Sequence, residues 1–181
     1  KEEASDDRAL LVVKTTASER IISAACRMRF YSGSFIEPEQ ESKSSPGKVS
    51  HIYSAEVGKG EELVLEKLVS VYTSADPGVQ DPVAESAANC SGMTNYESQL
   101  KESEESWEKI WKRIDIIISG DRAVQKLVRL HLYHMMVTAS PHHAELDSGI
   151  PPRGLHGEAY RGHIFWDELY ILPLYNIHFP E

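Results

Sequence analysis

The stretch Gly149 to His178, GIPPRGLHGEAYRGHIFWDELYILPLYNIH, decides how the rest of the chain is read. It sets Gly149, Gly154, Gly157 and Gly162, the pair Pro151-Pro152 and several aromatic rings among Arg153, His156, Glu158, Arg161, His163, Asp167 and Glu168. Glycine lets the backbone approach a ligand closely, and ring faces, fork donors and carboxylates together suit a polyhydroxylated molecule. The stretch therefore reads as one wall of a sugar site. Helical periodicity is missing after Pro141 and resumes near Ile164, where Phe165, Leu169, Leu172 and Ile177 make an apolar face. Trp166 and Asp167 then fall near a helix start, where free N–H groups favour a carboxylate. Pro173 is expected to kink or interrupt that helix, because it removes a backbone donor and crowds the preceding turn.

Upstream, Val124, Leu127, Val128, Leu130, Leu132, Tyr133, Met135, Met136 and Val137 cover most of the circumference of a helix over Arg122 to Val137, which predicts burial on several sides. Gly120 can close a preceding helix in a left-handed cap and Asp121 can cap this one. His131 and His134, with His142 and His143 beyond, invite a metal reading, but no Cys or HExxH pattern accompanies them, and buried, hydrogen-bonded histidine is the simpler account. Before them Tyr96, Leu100, Trp107, Ile110, Trp111 and Ile114 mark a long amphipathic helix with oppositely charged i,i+4 pairs such as Glu105 and Lys109. Trp107 and Trp111 can be read as a sugar-stacking platform or as anchors clamping the helix to its neighbours, the simpler alternative. The acidic run Glu102 to Glu108 reads as a solvated face.

Residues 1 to 75 read as β. Leu10 to Thr15 and Arg20 to Phe30 are strand-like, Ser32 to Lys48 is a polar loop without period, and Lys48 to Val57 and Glu62 to Thr73 flank Gly58-Lys59-Gly60 as a hairpin would. In the last run Leu63, Leu65, Leu68, Val69 and Val71 partly alternate with Glu62, Glu66 and Ser70, predicting a strand with the apolar face buried. Four such strands imply an antiparallel sheet that serves as scaffold. Asp76-Pro77-Gly78 and Asp81-Pro82 are consecutive turn signals, and the composition changes there.

Composition sets the outer bounds. The chain has 181 residues, 41% of them hydrophobic, enough for a real core. Its 28 acidic and 19 basic residues leave a formal charge of -9, which argues against binding a phosphate backbone. Cys26 and Cys90 stand far apart without a CxxC pattern and read as two free thiols in a reducing, cytoplasmic compartment, the alternative being one long-range disulfide. No run reaches the roughly 20 apolar residues of a membrane span. The chain opens on Lys1 rather than Met and stops at Glu181 within an apolar pattern, so it reads as an excerpt of a longer protein.

The run PRGLHGEAYRGHIFWD, Pro152 to Asp167, resembles the corresponding segment of glycoside hydrolase family 65, the maltose, kojibiose, nigerose and trehalose phosphorylases and related acid trehalases. Members usually follow FWD with a Thr-Glu pair; this chain has Glu168 and Leu169 there. The resemblance implies an α+β chain: the C-terminal part of an antiparallel β-sandwich over 1–76, a helical linker over 77–119 and the first helices of an (α/α)6 barrel over 120–181. It also implies that Trp166 and Asp167 line the subsite for the transferred glucosyl unit. Arg153, and less directly His156, Glu158, Tyr160, Arg161 and His163, are candidates for contact with the acceptor sugar, the alternative being ion pairs that fix the loop.

The implied reaction is inverting phosphorolysis of an α-glucosidic disaccharide to β-glucose 1-phosphate, with inorganic phosphate as co-substrate and no cofactor or metal. The catalytic residue, a general acid Glu, is expected beyond Glu181, as is most of the phosphate pocket. The alternatives are a trehalase-like hydrolase of the same family, in which water replaces phosphate, and a non-catalytic carbohydrate-binding module. The expected partners are the disaccharide, the remainder of the barrel and a second copy in a homodimer, with neither nucleic acid nor membrane.

Overall fold

A four-stranded antiparallel sheet in the order β1-β2-β3-β6 carries the first half of the computed structural model, built from β1 (Glu2–Ala4), β2 (Arg8–Lys14), β3 (Ile21–Ser32) and β6 (Leu63–Thr73). The structure describes residues 1–5, 7–32, 36, 38–140, 146, 148–151, 157 and 162–179. They divide into two compact units, Lys1–Glu102 and Ser103–Glu181.

In the first unit β3 is the central strand, pairing with β2 from Arg8↔Arg27 to Lys14↔Ile21 and with β6 from Ile22↔Thr73 to Ser32↔Leu63. Helix α1 (Pro82–Gly92) packs on one face of β3 and β6. It starts where Asp81 accepts from the Val83 and Ala84 amides at 2.9 and 3.1 Å and Pro82 occupies the first turn, needing no donor there. The sheet meets this helix through polar as well as apolar groups. Ser23 and Ser86, both 0% exposed, share a hydrogen bond of 2.7 Å, and Asn89 donates to Ser70 at 3.1 Å. Arg27 is buried and donates to the carbonyls of Ser91, Met93 and Thr94, fastening the segment that leaves α1.

The expected alternation of β6 is present but inverted. Glu66, Leu68 and Ser70 are buried beneath α1 and the start of α2 (Tyr96–Ile114), whereas Leu65, Val69 and Val71 are exposed on the opposite face. The polar side chains tolerate burial because they have partners: Glu66 accepts from Tyr31 Oη at 3.0 Å and from the Tyr96 amide at 2.6 Å, at the first turn of α2.

The hairpin expected across Gly58 to Gly60 does not form. Lys48 onward is β5 (Lys48–Ser54), and it pairs with β4 (Glu39–Ser45) in a separate two-stranded sheet, leaving β6 to pair with β3. The turn of that hairpin is Pro46-Gly47, where Gly47 takes φ 75, a left-handed value natural to glycine. Strand β4 lies inside the span read as loop, because every residue of EQESKSS is exposed and no apolar period marks it. Tyr53 of β5 holds the hairpin to the main sheet, its ring 4.7 Å from Phe30 and its hydroxyl donating to Met28 Sδ at 3.4 Å. Among the described residues the β region thus has six strands rather than four.

In the second unit α2 ends at Ile114, α3 runs Arg122–Thr138 and α4 Glu168–His178. Gly120 adopts φ 97 and Asp121 caps α3 through the Ala123 and Val124 amides at 2.9 and 3.0 Å, as the sequence predicts. Gln125 staples the connection, donating to Ile116 O at 2.9 Å and accepting from Ile118 N at 2.7 Å. Asp115 grips Arg129 in a two-pronged ion pair, and that guanidinium holds the Asp115 carboxyl below the ordinary carboxylate range. Helix α3 buries one face rather than several: Leu132, Met136 and Thr138 are buried, while Val124, Leu127, Leu130 and Tyr133 are exposed. Its buried face joins Ile114 in a core that Trp107, Ile110, Trp111, Tyr175 and Phe179 pack against. Among the described residues no helix is long and apolar enough to cross a membrane.

Candidate functional site

The turn at the head of α4 is built by three short-range bonds: Glu168 N to Phe165 O, Leu169 N to Trp166 O and Tyr170 N to Asp167 O, at 3.2, 3.1 and 3.0 Å. Helix α4 continues through Pro173 instead of breaking there. Pro173 has no N–H for the Leu169 carbonyl, so the first turn lacks one rung of the usual ladder. The far end of the helix is well held. Phe179 stacks on Tyr175 at 5.1 Å and lies under the Arg113 guanidinium at 5.2 Å, and burial pushes the Tyr175 hydroxyl pKa up. None of the α4 residues is fully buried.

Trp166 and Asp167 therefore stand on this turn, the first exposed and the second half-buried. Trp166 is 66% exposed, braced edge-on by Tyr170 at 5.8 Å. Asp167 is half-buried at the helix cap position with helical φ and ψ of -56 and -30 and makes no capping hydrogen bond. An exposed indole and a carboxylate uncommitted to capping are thus consecutive in the chain, residue types suited to a pyranose's carbon face and hydroxyls. His163 is exposed, its ring 6.4 Å from Phe165. Arg153, His156, Glu158, Tyr160 and Arg161 lie outside the described residues.

The sequence reading names Glu168 and Gly149 but not what they do. Glu168 Oε1 accepts from the Ile150 amide at 3.0 Å, and the Gly149 amide donates to Gly162 O at 2.7 Å. Gly149 is buried, and a Cβ there would stand 2.5 Å from His163 O and 2.7 Å from Glu168 Oε1, so only glycine fits. Eighteen positions separate Ile150 from Glu168, and no local periodicity reports a contact at that range.

Other candidates fall elsewhere. Trp107 and Trp111 are anchors: their rings lie 6.1 Å apart, Trp107 is 5.0 Å from Tyr133, and both pack on the Ile114 core. His131 is exposed rather than buried, His134 is half-buried, and His142 and His143 lie outside the described residues. Among the described residues no three His, Cys, Asp or Glu side chains gather as a metal site. Both cysteines are free thiols, and burial raises the Cys90 pKa. A groove of about 440 Å³ in the first unit, beside α1, is lined by Arg8, Leu10, Cys26, Arg27 and Cys90 among others and contains none of the sugar-site candidates.

Comparison with known proteins gives two family matches: the N-terminal domain of glycosyl hydrolase family 65 over residues 1–110 and the central catalytic domain of the same family over residues 129–181. An uncharacterized glycosyl hydrolase of Mycobacterium tuberculosis is 34% identical over 177 residues, covering 97% of this chain and 13% of that protein. A kojibiose phosphorylase of Halothermothrix orenii is 32% identical over 187 residues, 97% of this chain and 24% of the relative. A trehalose 6-phosphate phosphorylase of Lactococcus lactis is 32% identical over 180 residues, 96% and 22% respectively. The chain thus spans less than a quarter of the length of these relatives.

Proposed function

Since the chain belongs to glycosyl hydrolase family 65, we propose that the protein carrying it is an inverting glycoside phosphorylase of an α-linked glucose disaccharide, of the maltose, trehalose or kojibiose type. In this reading residues 1–76 complete a β-sandwich, 77–119 link, and 120–181 begin an (α/α)6 barrel. The exposed apolar side chains Val124, Leu127 and Leu130 on α3 and Leu169 and Ile177 on α4 support it, since further barrel helices would cover them.

One observation carries the site: Trp166 and Asp167 present an open indole face and an uncommitted carboxylate from one turn. Trp166 packs on the carbon face of the glucosyl ring and Asp167 accepts from its hydroxyls, with Arg153 and the loop residues His156, Glu158, Tyr160, Arg161 and His163 facing the acceptor sugar. A phosphate oxygen attacks the anomeric carbon from the face opposite the glycosidic bond. The departing sugar oxygen takes a proton from a general acid supplied outside this chain, and β-glucose 1-phosphate results. Burying phosphate as the nucleophile removes the need for a second catalytic carboxylate.

The test is disaccharide cleavage by the full-length protein with and without inorganic phosphate, scoring β-glucose 1-phosphate against free glucose. Phosphate-dependent formation of the β-anomer is expected, and Asp167→Asn should lower kcat/KM about 100-fold, the loss of one or two hydrogen bonds to a charged acceptor. Cleavage at the same rate without phosphate would overturn the phosphorylase reading in favour of a hydrolase. Sugar binding without cleavage would leave a carbohydrate-binding module instead.

A further inference from the structure

We infer that Glu168 is a positioning residue for the glucosyl subsite: its carboxylate, by accepting from the Ile150 amide, latches the turn that bears Trp166 and Asp167 onto the Gly149–Ile150 segment. The inference rests on the reading of Trp166 and Asp167 as sugar-binding groups. Its physical basis is that the three short-range bonds of the turn shape it locally but do not tie it to a distant segment. Trp166, Leu169 and Tyr170 are all exposed, α4 buries no residue fully, and its packing on the core comes from Tyr175 and Phe179 at the other end. Asp167 contributes no cap, and Pro173 deprives Leu169 of its ladder donor. Packing and helix hydrogen bonding thus shape the turn locally without fixing it to the Gly149–Ile150 segment.

Glu168 supplies what they do not. A carboxylate accepting a backbone N–H is a charge-assisted bond, and here it spans 18 residues of chain at 3.0 Å. The bond runs beside a second tie, Gly149 N to Gly162 O at 2.7 Å, so the turn is bracketed by two hydrogen bonds that converge on adjacent residues, Gly149 and Ile150. The absence of a side chain at Gly149 lets the carboxylate in, since a Cβ would stand 2.7 Å from Oε1. A hydrogen-bonded carboxylate adjacent in sequence to Asp167 restrains the backbone from which that second carboxylate projects. Subsites built this way lose on the order of 100-fold in rate for misplacements near 1 Å.

Three variants of the full-length protein test this: Glu168→Ala, Glu168→Gln, which keeps an acceptor oxygen, and Asp167→Asn as reference. Amide exchange at Ile150, followed by mass spectrometry, should quicken in Glu168→Ala and stay slow in Glu168→Gln. In kinetics, Glu168→Ala should raise the KM for disaccharide and lower kcat/KM by about 10- to 100-fold with the KM for phosphate unchanged, and Glu168→Gln should recover to within a few-fold. A residue that only stabilised the fold would lower the active fraction and leave both KM values alone. Unchanged Ile150 exchange in Glu168→Ala, or no recovery in Glu168→Gln, overturns the inference. If exchange responds as expected but Asp167→Asn leaves the kinetics untouched, the latch stands and the subsite reading falls, taking the positioning role with it.

Discussion

Ser23 and Ser86 offer a sharp test of how the sheet and α1 are held together. Both hydroxyls are 0% exposed and 2.7 Å apart, and Ser86 Oγ also lies 3.1 Å from the Val83 carbonyl, which can only accept. The single hydrogen of Ser86 is therefore committed to Val83, and Ser23 must be the donor of the pair. Ser86→Ala strands the Ser23 proton in a dry interface, at about 2 kcal/mol. Ser23→Ala leaves Ser86 with its own donor satisfied and costs about 1 kcal/mol, an ordinary hydrogen bond. Removing both hydroxyls strands nothing, so the double variant should cost about 1 kcal/mol or less, and the singles together should exceed it by about 2 kcal/mol. Helix and strand propensities of Ala enter both legs of the cycle and cancel. The assay is native-state hydrogen exchange of the β3 and α1 amides over a urea series, which reads the opening free energy of that unit. Equal costs for the two single variants would refute the donor assignment, and a coupling within about 0.5 kcal/mol of zero would refute the claim that the pair bonds in a dry interface.

Two further outcomes are expected. Ile114 is 2% exposed at the centre of the second core, so Ile114→Ala should destabilise that unit by about 2–5 kcal/mol, read from the denaturant midpoint of Trp107 and Trp111 fluorescence; a change under about 1 kcal/mol would place the core elsewhere. The Asp115 carboxyl has a folded pKa below its unfolded value of about 3.9, so the contribution of its pair with Arg129 is present above that value and is lost as pH falls through the folded pKa. Asp115→Asn should accordingly weaken the α2–α3 junction at pH 7 and remove its acid sensitivity below about pH 4, measured as fluorescence midpoints across pH.

Helix ends and the candidate turn were legible in the sequence because their causes are local. Gly120 with Asp121 is punctuation whose hydrogen bonds reach two or three residues; Asp81 with Pro82 reads only as a turn, although Asp81 caps α1 over the same short reach. The FWD segment likewise announces its indole and carboxylate. Strand pairing was not legible, because it depends on distant partners. Strand β4 has no apolar residue to give it a period, so the eye passes from Phe30 to Lys48 and pairs β5 with the wrong neighbour. On β6 the apolar majority points away from α1, because Glu66 and Ser70 find donors in Tyr31, Tyr96 and Asn89 that only folding brings near. The Glu168 tie to Ile150 escaped for the same reason.

The two arginine contacts behave differently in acid. Arg129 depends on a carboxylate that titrates, so its grip loosens as protons are added. Arg27 instead donates to main-chain carbonyls at Ser91, Met93 and Thr94, and an amide oxygen is not a carboxylate that protons can neutralise. The joint leading out of α1 thus has no carboxylate to lose, and acidification below about pH 4 should slacken the α2–α3 corner while that joint keeps its hold.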